Sequence, residues 1–590
     1  MNIEEKFRND VKRLISIHAN LPANIDRILE KPPQEIGSDL ALPCFYLAGT
    51  FKKDPRLIAI EVAEKIKPDG LVREVKPIGA YVNFYIDWDR VNQLLIEEIL
   101  DKDGRYGCSD MGKGLHIMVE YSSPNTNKPL HLGHLRNDSI GMAVSNILSA
   151  NGFDVKKAVL FSNRGSHICK SMLAYKKFGR KRKPNKKTDH FVGEFYMLYE
   201  KKKRQLEKEL LPMLQKWESR DRETIKLWKL MDSWAISGFK QTYKEFGSRF
   251  DVEFLESDFF DKAKPIIEAG LQKKVFYRNK EGTVMADLDK QGFGKKAILR
   301  KDGTSIYITN DLALTKHKFE KYKLDKSLWV VGSEQNLYFQ QLFKIFELLG
   351  FQWHKDCTHL SYGLIYLPEG KMKSREGRVV DADDIIKQMA DLAKEEILKR
   401  EQPADQKAGG VKKKPVGKDI EKRAKSIGLA ALKYFLLKTD SSKDMHFRPA
   451  ETIPFEGNTG PYIQYTHARA CSILEKAEED EKTKDRLKAK IRLSGAFNAC
   501  LLKDDREKQL IKKLTEYPKV VMDAGRDLKP YYIANYLFSL ATMFNEFYHA
   551  VPVLGSADGV REARIALVRA VRIVLKNGLG MLNIEAPERM

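Results

Sequence analysis

Two histidines three positions apart, His131 and His134, flank Leu132-Gly133 between an apolar run, Ile117-Met118-Val119, and a segment in which Ile140, Val144, Ile147 and Leu148 recur at helical spacing up to Asn151-Gly152. Pro124 and Pro129 forbid regular structure in the lead-in, and a second apolar run, Val159-Leu160-Phe161, follows the helix. Strand, turn, helix, strand is the unit of a parallel sheet, whose ligands dock where strand ends meet a helix N-terminus. Two imidazoles on one face there, together with the free N–H groups of the first helical turn, would meet an anion. Gly133 brings no Cβ, so a nucleotide can lie against the backbone; the pattern suits ATP.

About 240 positions later, Lys371-Met372-Lys373-Ser374-Arg375 follows Gly370 in an expected loop. Cations of this kind suit a pyrophosphate leaving group. Together, Glu120-Tyr121-Ser122-Ser123-Pro124-Asn125-Thr126-Asn127-Lys128-Pro129-Leu130 with His131-Leu132-Gly133-His134, and the later lysine loop, resemble the two signatures of class I aminoacyl-tRNA synthetases, in the form found in arginyl-tRNA synthetases. The resemblance implies ATP contacts from His131, Gly133, His134, Lys371, Met372, Lys373 and Ser374, with Mg²⁺ carried by the nucleotide and no metal site of the chain's own. Ser374 stands where the family has its second signature lysine, and either Lys128, just ahead of the histidines, or Lys373 would replace that charge.

The reaction implied is attack of the arginine carboxylate on the α-phosphorus of ATP, then transfer of arginine to the terminal adenosine of tRNA(Arg). His131, His134, Lys371 and Lys128 would neutralise the phosphates; no protein nucleophile is required. A guanidinium presents five donors in a fixed fork, which planar carboxylates match. Glu120 and Asp311 are placed for this, Tyr307-Ile308-Thr309-Asn310-Asp311 is similar to the family's Y-x-x-x-D arginine pocket, and Gln335 lies in a segment like its substrate-contacting strand end. Ser122, Asn125 and His134 would hold the rest of the amino acid. Two rivals share part of the pattern: a synthetase-like RNA-binding protein without catalysis, and a small-substrate nucleotidyltransferase. The first leaves His131, His134, Glu120 and Asp311 without a task, the second leaves the C-terminal region without one.

The elements that must position these residues span 590 residues, enough for several domains. A net charge of +23 favours a polyanion without choosing among RNA, DNA and membrane; the resemblance implies tRNA. No apolar run approaches the roughly 20 residues of a bilayer span and Met1-Asn2-Ile3-Glu4-Glu5 lacks a signal-peptide pattern, so a cytoplasmic, monomeric enzyme is expected. Six scattered cysteines suggest neither a disulfide framework nor a zinc site.

The expected fold is multidomain α/β plus all-α. An α+β N-terminal appended domain over 1–110 resembles the family's tRNA-corner domain, with Asn83 and Phe84 as candidate contacts. A Rossmann-like catalytic domain over 111–385 carries a helical insertion at about 176–260, where Leu227, Leu230, Met231 and Trp234 read as helix core. Ala297–Arg300, Ser305–Thr309 and Ser327–Gly332 read as strands resuming its sheet. The near-P-loop Gly107–Gly114 reads as linker, because Gly114 stands where a hydroxyl must hold Mg²⁺. A linker and stem-contact helical segment spans 386–445, with a loop at 409–415. A helical anticodon-binding bundle over 446–590 carries the stripe Ile533, Leu537, Leu540, Ala541, Phe544 and Tyr548, and Tyr462, Tyr465 and Met590 as candidate tRNA contacts.

Overall fold

The fold is described from a computed structural model, covering residues 3–19, 28–367, 370–371, 380–401, 417–479 and 497–590. The N-terminal part contains α1 (Ile3–Ala19), β1 (Leu40–Pro43), α2 (Phe45–Phe51), α3 (Pro55–Lys65), β2 (Val72–Ile78), β3 (Tyr81–Ile86) and α4 (Trp88–Lys102). Its three strands form an antiparallel sheet in the order β1-β3-β2. α3 starts where Asp54 accepts the Arg56 N–H at 2.7 Å and Pro55 supplies a preset φ. Because β3 is the middle strand, both of its faces are covered: Val82, Asn83 and Phe84 are all buried. Asn83 Oδ1 accepts the Ser38 hydroxyl at 2.8 Å and Phe84 lies in the core, so neither residue is a surface contact as expected. The most exposed aromatics of this region are Phe45 and Tyr46 on α2, followed by Phe51 and Trp88.

The catalytic core is a five-stranded parallel sheet in the order β11-β10-β4-β5-β6. β4 (His116–Glu120), α5 (Leu132–Ala150) and β5 (Asp154–Phe161) form the expected unit, with Asn151 at the helix C-cap and Gly152 at φ 87°. The insertion is helical: α6 (Ser166–Phe178), α7 (Thr188–Lys201), α8 (Lys203–Glu218) and α9 (Arg222–Phe246). Met231 is buried in α9 as expected, and Leu227 and Trp234 pack against the core, whereas Leu230 is exposed, one position off the buried face. β6 (Val252–Leu255) and α10 (Lys264–Gln272) follow.

Next come β7 (Phe276–Arg278), β8 (Val284–Leu288) and β9 (Gly294–Leu299), a separate antiparallel sheet. β9 therefore does not resume the parallel sheet. The stretch Ser305–Thr309 is not a strand either; α11 (Tyr307–Tyr322) begins inside it, because Thr309 Oγ1 accepts the Ile306 N–H at 3.0 Å and starts the helix. β10 (Lys326–Gly332), α12 (Asn336–Leu349) and β11 (Cys357–Tyr362) complete the half.

Beyond β11 lie β12 (Ile365–Leu367), β13 (Gly370–Lys371), α13 (Ala382–Glu401), α14 (Gly417–Leu437) and β14 (Met445–His446). The borders expected at 385/386 and 445/446 fall inside α13 and β14. The loop expected at 409–415 lies outside the described residues. A bundle of α15 (Gly460–Glu479), α16 (Asp505–Asp527), α17 (Tyr531–Ala550) and α18 (Val560–Met581) closes the chain. In α17 the expected stripe from Ile533 to Phe544 is fully buried and Tyr548 emerges at its end. α5 reaches this bundle: Asn151 Nδ2 donates to Val521 O at 2.9 Å and Asn146 Nδ2 to Gly580 O at 3.2 Å.

Arg136, 1% exposed on α5, donates to four carbonyls: Gly363 at 2.6 Å, Leu364 at 3.1 Å, Ser441 at 2.9 Å and Lys443 at 2.8 Å. It clamps the β11–β12 turn and the approach to β14 onto the catalytic helix. Arg136→Met should destabilise the protein by roughly 3 kcal/mol, read as a lowered denaturant midpoint, since four carbonyls, that of Gly363 buried and the others partly so, lose a charged donor.

Candidate active site

The site lies past the C-terminal ends of β4 and β10. After Glu120 the chain turns through Ser122 and Ser123, at φ 75° and 45°, a conformation that non-glycine residues adopt only when it is held. Asn137 holds it: its Oδ1 accepts the Ser122 N–H at 2.6 Å while its Nδ2 donates to Val330 O at 2.7 Å and to Tyr362 Oη at 3.1 Å. One side chain thereby ties the ends of β4, β10 and β11. The Ser122 hydroxyl is engaged with Tyr243 Oη at 2.7 Å, and half-buried Asn125 bridges to Ser162 beyond β5.

His131 is the N-cap of α5 and His134 its third residue. His131 Nδ1 accepts the Gly133 N–H at 3.2 Å and His134 Nδ1 accepts the His131 N–H at 3.1 Å, with the rings 3.9 Å apart. A Cβ on Gly133 would stand 3.0 Å from the His131 ring, so the glycine is required by the imidazole itself. The expectation of free N–H groups in the first turn is corrected. Leu132 donates to Val380 O at 3.1 Å, Gly133 to the His131 ring, and His134 and Leu135 to His131 O at 2.7 and 3.2 Å. With both Nδ1 atoms accepting, each ring carries its proton on Nε2. Burial lowers His131 to about 3, with the Lys128 charge adding to it, and lowers His134 well below the usual imidazole range. Both rings are neutral donors at physiological pH, and Lys128 is the fixed positive charge nearby.

The chain a few residues beyond the second signature meets the first through the backbone. The Leu132 N–H donates to Val380 O, the Ala382 N–H donates to Leu130 O at 3.0 Å, and His131 bridges Asp381 in antiparallel register. Lys371 leaves from β13, paired with Tyr366; Met372, Lys373 and Ser374 lie outside the described residues. Thus the loop departs from β13 and its far limb returns beside the histidines. That limb is anchored by Asp383, whose carboxylate accepts Lys187 Nζ at 2.6 Å and Thr242 Oγ1 at 2.9 Å and meets His190 Nε2 at 2.9 Å. Asp189, His190 and Asp383 have metal-ligand spacing, but the Lys187 ammonium lies among them and bonds both carboxylates.

Glu120 and Asp311 lie near enough for the charge of one to act on the other, and each has a partner the sequence reading missed. Glu120 is ion-paired to Lys318 of α11, and Asp311, one helical turn after half-exposed Tyr307, accepts the Tyr338 hydroxyl. Burial raises Asp311 to about 6, with the Tyr338 hydrogen bond opposing and the Glu120 charge adding. A third carboxylate, Glu256, is 5% exposed, accepts Asn310 Nδ2 at 2.6 Å and leaves Oε2 buried without a hydrogen-bond partner among the described residues; burial raises it to about 7. Arg164 lies nearby, donating to Ser305 Oγ at 2.5 Å and Glu218 at 2.9 Å. Gln335 sits in the exposed turn after β10. Nothing in the local pattern of Glu256, Lys318 or Tyr338 sets them apart from ordinary helix and loop residues; only the tertiary fold brings them in.

In the C-terminal bundle, Tyr465 and Met590 line one cleft of about 660 Å³ with Arg469, Ile473 and Tyr548. The Arg469 guanidinium lies 4.8 Å from the Tyr465 ring and 4.9 Å from the Tyr548 ring. Tyr462 instead packs on Phe538 at 5.8 Å and does not line this cleft.

Arginine keeps its guanidinium charge throughout the accessible pH range, so protonating the pocket carboxylates removes attraction without changing the ligand. The arginine kcat/KM should therefore fall as pH drops through about 7 to 6, while the ATP KM stays flat because the imidazoles do not titrate there. Steady-state kinetics between pH 5.5 and 8.5 check this.

Residues 95–448 match the family described as tRNA synthetases class I (R), catalytic domain; residues 463–590 match the DALR anticodon binding domain, and residues 1–86 the arginyl tRNA synthetase N terminal domain. The arginine–tRNA ligase of Treponema denticola is 40% identical over 587 residues, covering 96% of this chain and 97% of that protein. That of Bacteroides fragilis is 39% identical, covering 95% of each. Among solved structures, the Thermus thermophilus arginyl-tRNA synthetase matches all of both chains with a TM-score of 0.71 at 24% identity, a likeness of fold. With matches to all three of these domains and full-length relatives at this identity, the chain belongs to the arginyl-tRNA synthetase family of class I aminoacyl-tRNA synthetases.

Proposed function

We propose that the protein is an arginine–tRNA ligase, which activates L-arginine with ATP and transfers it to the 3′-terminal adenosine of tRNA(Arg). The observation that carries this reading is the placement, past the ends of neighbouring strands β4 and β10, of two neutral Nε2–H donors and a pair of interacting carboxylates, Glu120 and Asp311. Neutral imidazoles suit the chemistry: they donate to phosphate oxygens whose negative charge grows as pyrophosphate leaves, and they need no counter-ion beforehand. Lys128 and Lys371 supply net positive charge, and Mg²⁺ enters with the nucleotide. Glu120 and Asp311 take the guanidinium, Glu256 adds an unpaired oxygen near them, and Ser122, Asn125, Tyr307 and Gln335 border the amino acid's other end.

The cleft of Tyr465, Arg469, Tyr548 and Met590 offers aromatic faces and a cation to unpaired anticodon bases, while Tyr462 supports it from the core side. With Asn83 and Phe84 buried, the N-terminal contact to the outer corner of the tRNA falls to exposed Phe45 and Tyr46. The enzyme acts as a monomer in the cytoplasm; no helix among the described residues is long and apolar enough to cross a membrane.

Charging of total tRNA with each of the twenty amino acids tests the reading: only arginine should be esterified, and ATP–pyrophosphate exchange should need arginine, measured with tRNA present. Exchange without charging would favour a small-substrate nucleotidyltransferase, and neither activity would favour an RNA-binding relative. Glu120→Gln and Asp311→Asn should each raise the arginine KM by roughly tenfold or more and leave the ATP KM within about twofold. His134→Ala should lower kcat by about a hundredfold. Tyr465→Ala should raise the tRNA KM by roughly tenfold, with Tyr462→Ala acting mainly on stability.

A further inference from the structure

The pocket read as the arginine site contains a cation of its own. Lys318 is 0% exposed, deep in α11, and its ammonium pairs with Glu120 Oε2. Nζ lies 4.9 Å from the Trp329 ring and 5.6 Å from the Phe254 ring, and Asp311 is near enough for the ammonium to act on its carboxyl. A lysine kept this far from water must have its charge matched, and Glu120 matches it. Asp311 is close enough to feel the charges of both partners.

Three consequences follow from electrostatics alone. Glu120 and Lys318 together are neutral, so Asp311 carries the unbalanced negative charge of the pair of carboxylates. With Oε2 taken by Lys318, Oε1 is the acceptor that the Glu120 carboxylate has left for a ligand. A ligand must then bring one positive charge that can be shared between two separate acceptors. A planar guanidinium reaches both with donors on separate nitrogens in a fixed fork, whereas an ammonium, whose three donors sit on one atom, bridges only carboxylates that close around it.

We propose that Lys318 is the positioning residue that sets the charge and the free acceptor geometry of the substrate pocket, and so selects a guanidinium over an ammonium. This rests on the arginine–tRNA ligase reading and deepens it. Lys318 touches Glu120 and acts through it.

The experiment compares Lys318→Gln and Lys318→Arg with the parent enzyme in arginine-dependent ATP–pyrophosphate exchange with tRNA present. Gln fills similar volume and can still donate to Glu120 but carries no charge; Arg keeps the charge. K318Q should raise the arginine KM by roughly tenfold to a hundredfold with the ATP KM within about twofold, and K318R should stay within about threefold of the parent. An unchanged arginine KM in K318Q, a parallel rise of both KM values, or a K318R enzyme as impaired as K318Q would each overturn the proposal, since packing alone would then explain the residue. Should circular dichroism show K318Q unfolded, the neutral pair Glu120→Gln/Lys318→Gln is compared with Glu120→Gln alone: an arginine KM at or below that of the single variant supports action through the Glu120 charge, and a further rise of about threefold or more, the mark of a packing role, overturns it. If the parent enzyme itself shows no arginine-dependent exchange, the functional reading fails instead, which the variants do not enter.

Discussion

The structure depends on a short backbone pairing. The Leu132 N–H donates to Val380 O and the Ala382 N–H to Leu130 O, joining the entry of the catalytic helix to the return limb of a loop that begins about 240 residues later in the chain. Two hydrogen bonds are individually modest. Their effect is geometric: they place the far limb of the lysine loop beside the imidazoles and consume a helix N-terminal donor that would otherwise need a partner. Arg136 and the Lys187–Asp383 contact reinforce the same junction from either side, one by clamping carbonyls, the other by a buried charge.

Electrostatics inside the site follow a common device: positive charges held by the protein set the state of neighbouring groups before substrate arrives. Lys128 helps keep the imidazoles neutral, Lys187 holds acidic groups of α7 and α13 together where a metal could otherwise sit, and Lys318 balances Glu120. A chain of net charge +23 thus uses some of its lysines within the fold and not only at its surface.

Much of this was legible in the sequence, and the misses have definite causes. The strand–turn–helix unit, the insertion and the α17 stripe were readable because proline, glycine and helical periodicity are local signals. His131, His134, Glu120 and Asp311 could be found because motif residues lie close to one another in the chain. Asn83 and Phe84 were misread because burial of a middle strand on both faces depends on what covers it. Ser305–Thr309 was misread because a short β-branched run is ambiguous until a hydroxyl caps the helix. Lys318, Glu256 and Tyr338 carry no local mark at all. Their roles arise from chain segments brought together only by the sheet.

The catalytic helix has two ends with different duties. Its first turn bears the imidazoles, while farther along Asn146, and Asn151 at its C-cap, are bonded to carbonyls of the C-terminal bundle. At 1.5 Å per residue it is a stiff strut of roughly 28 Å, with no soft joint between those duties. The bundle is consequently no detachable accessory: severing it would strip the strut of its footing, and a catalytic half produced alone would be expected to lose alignment at a place it never surrendered.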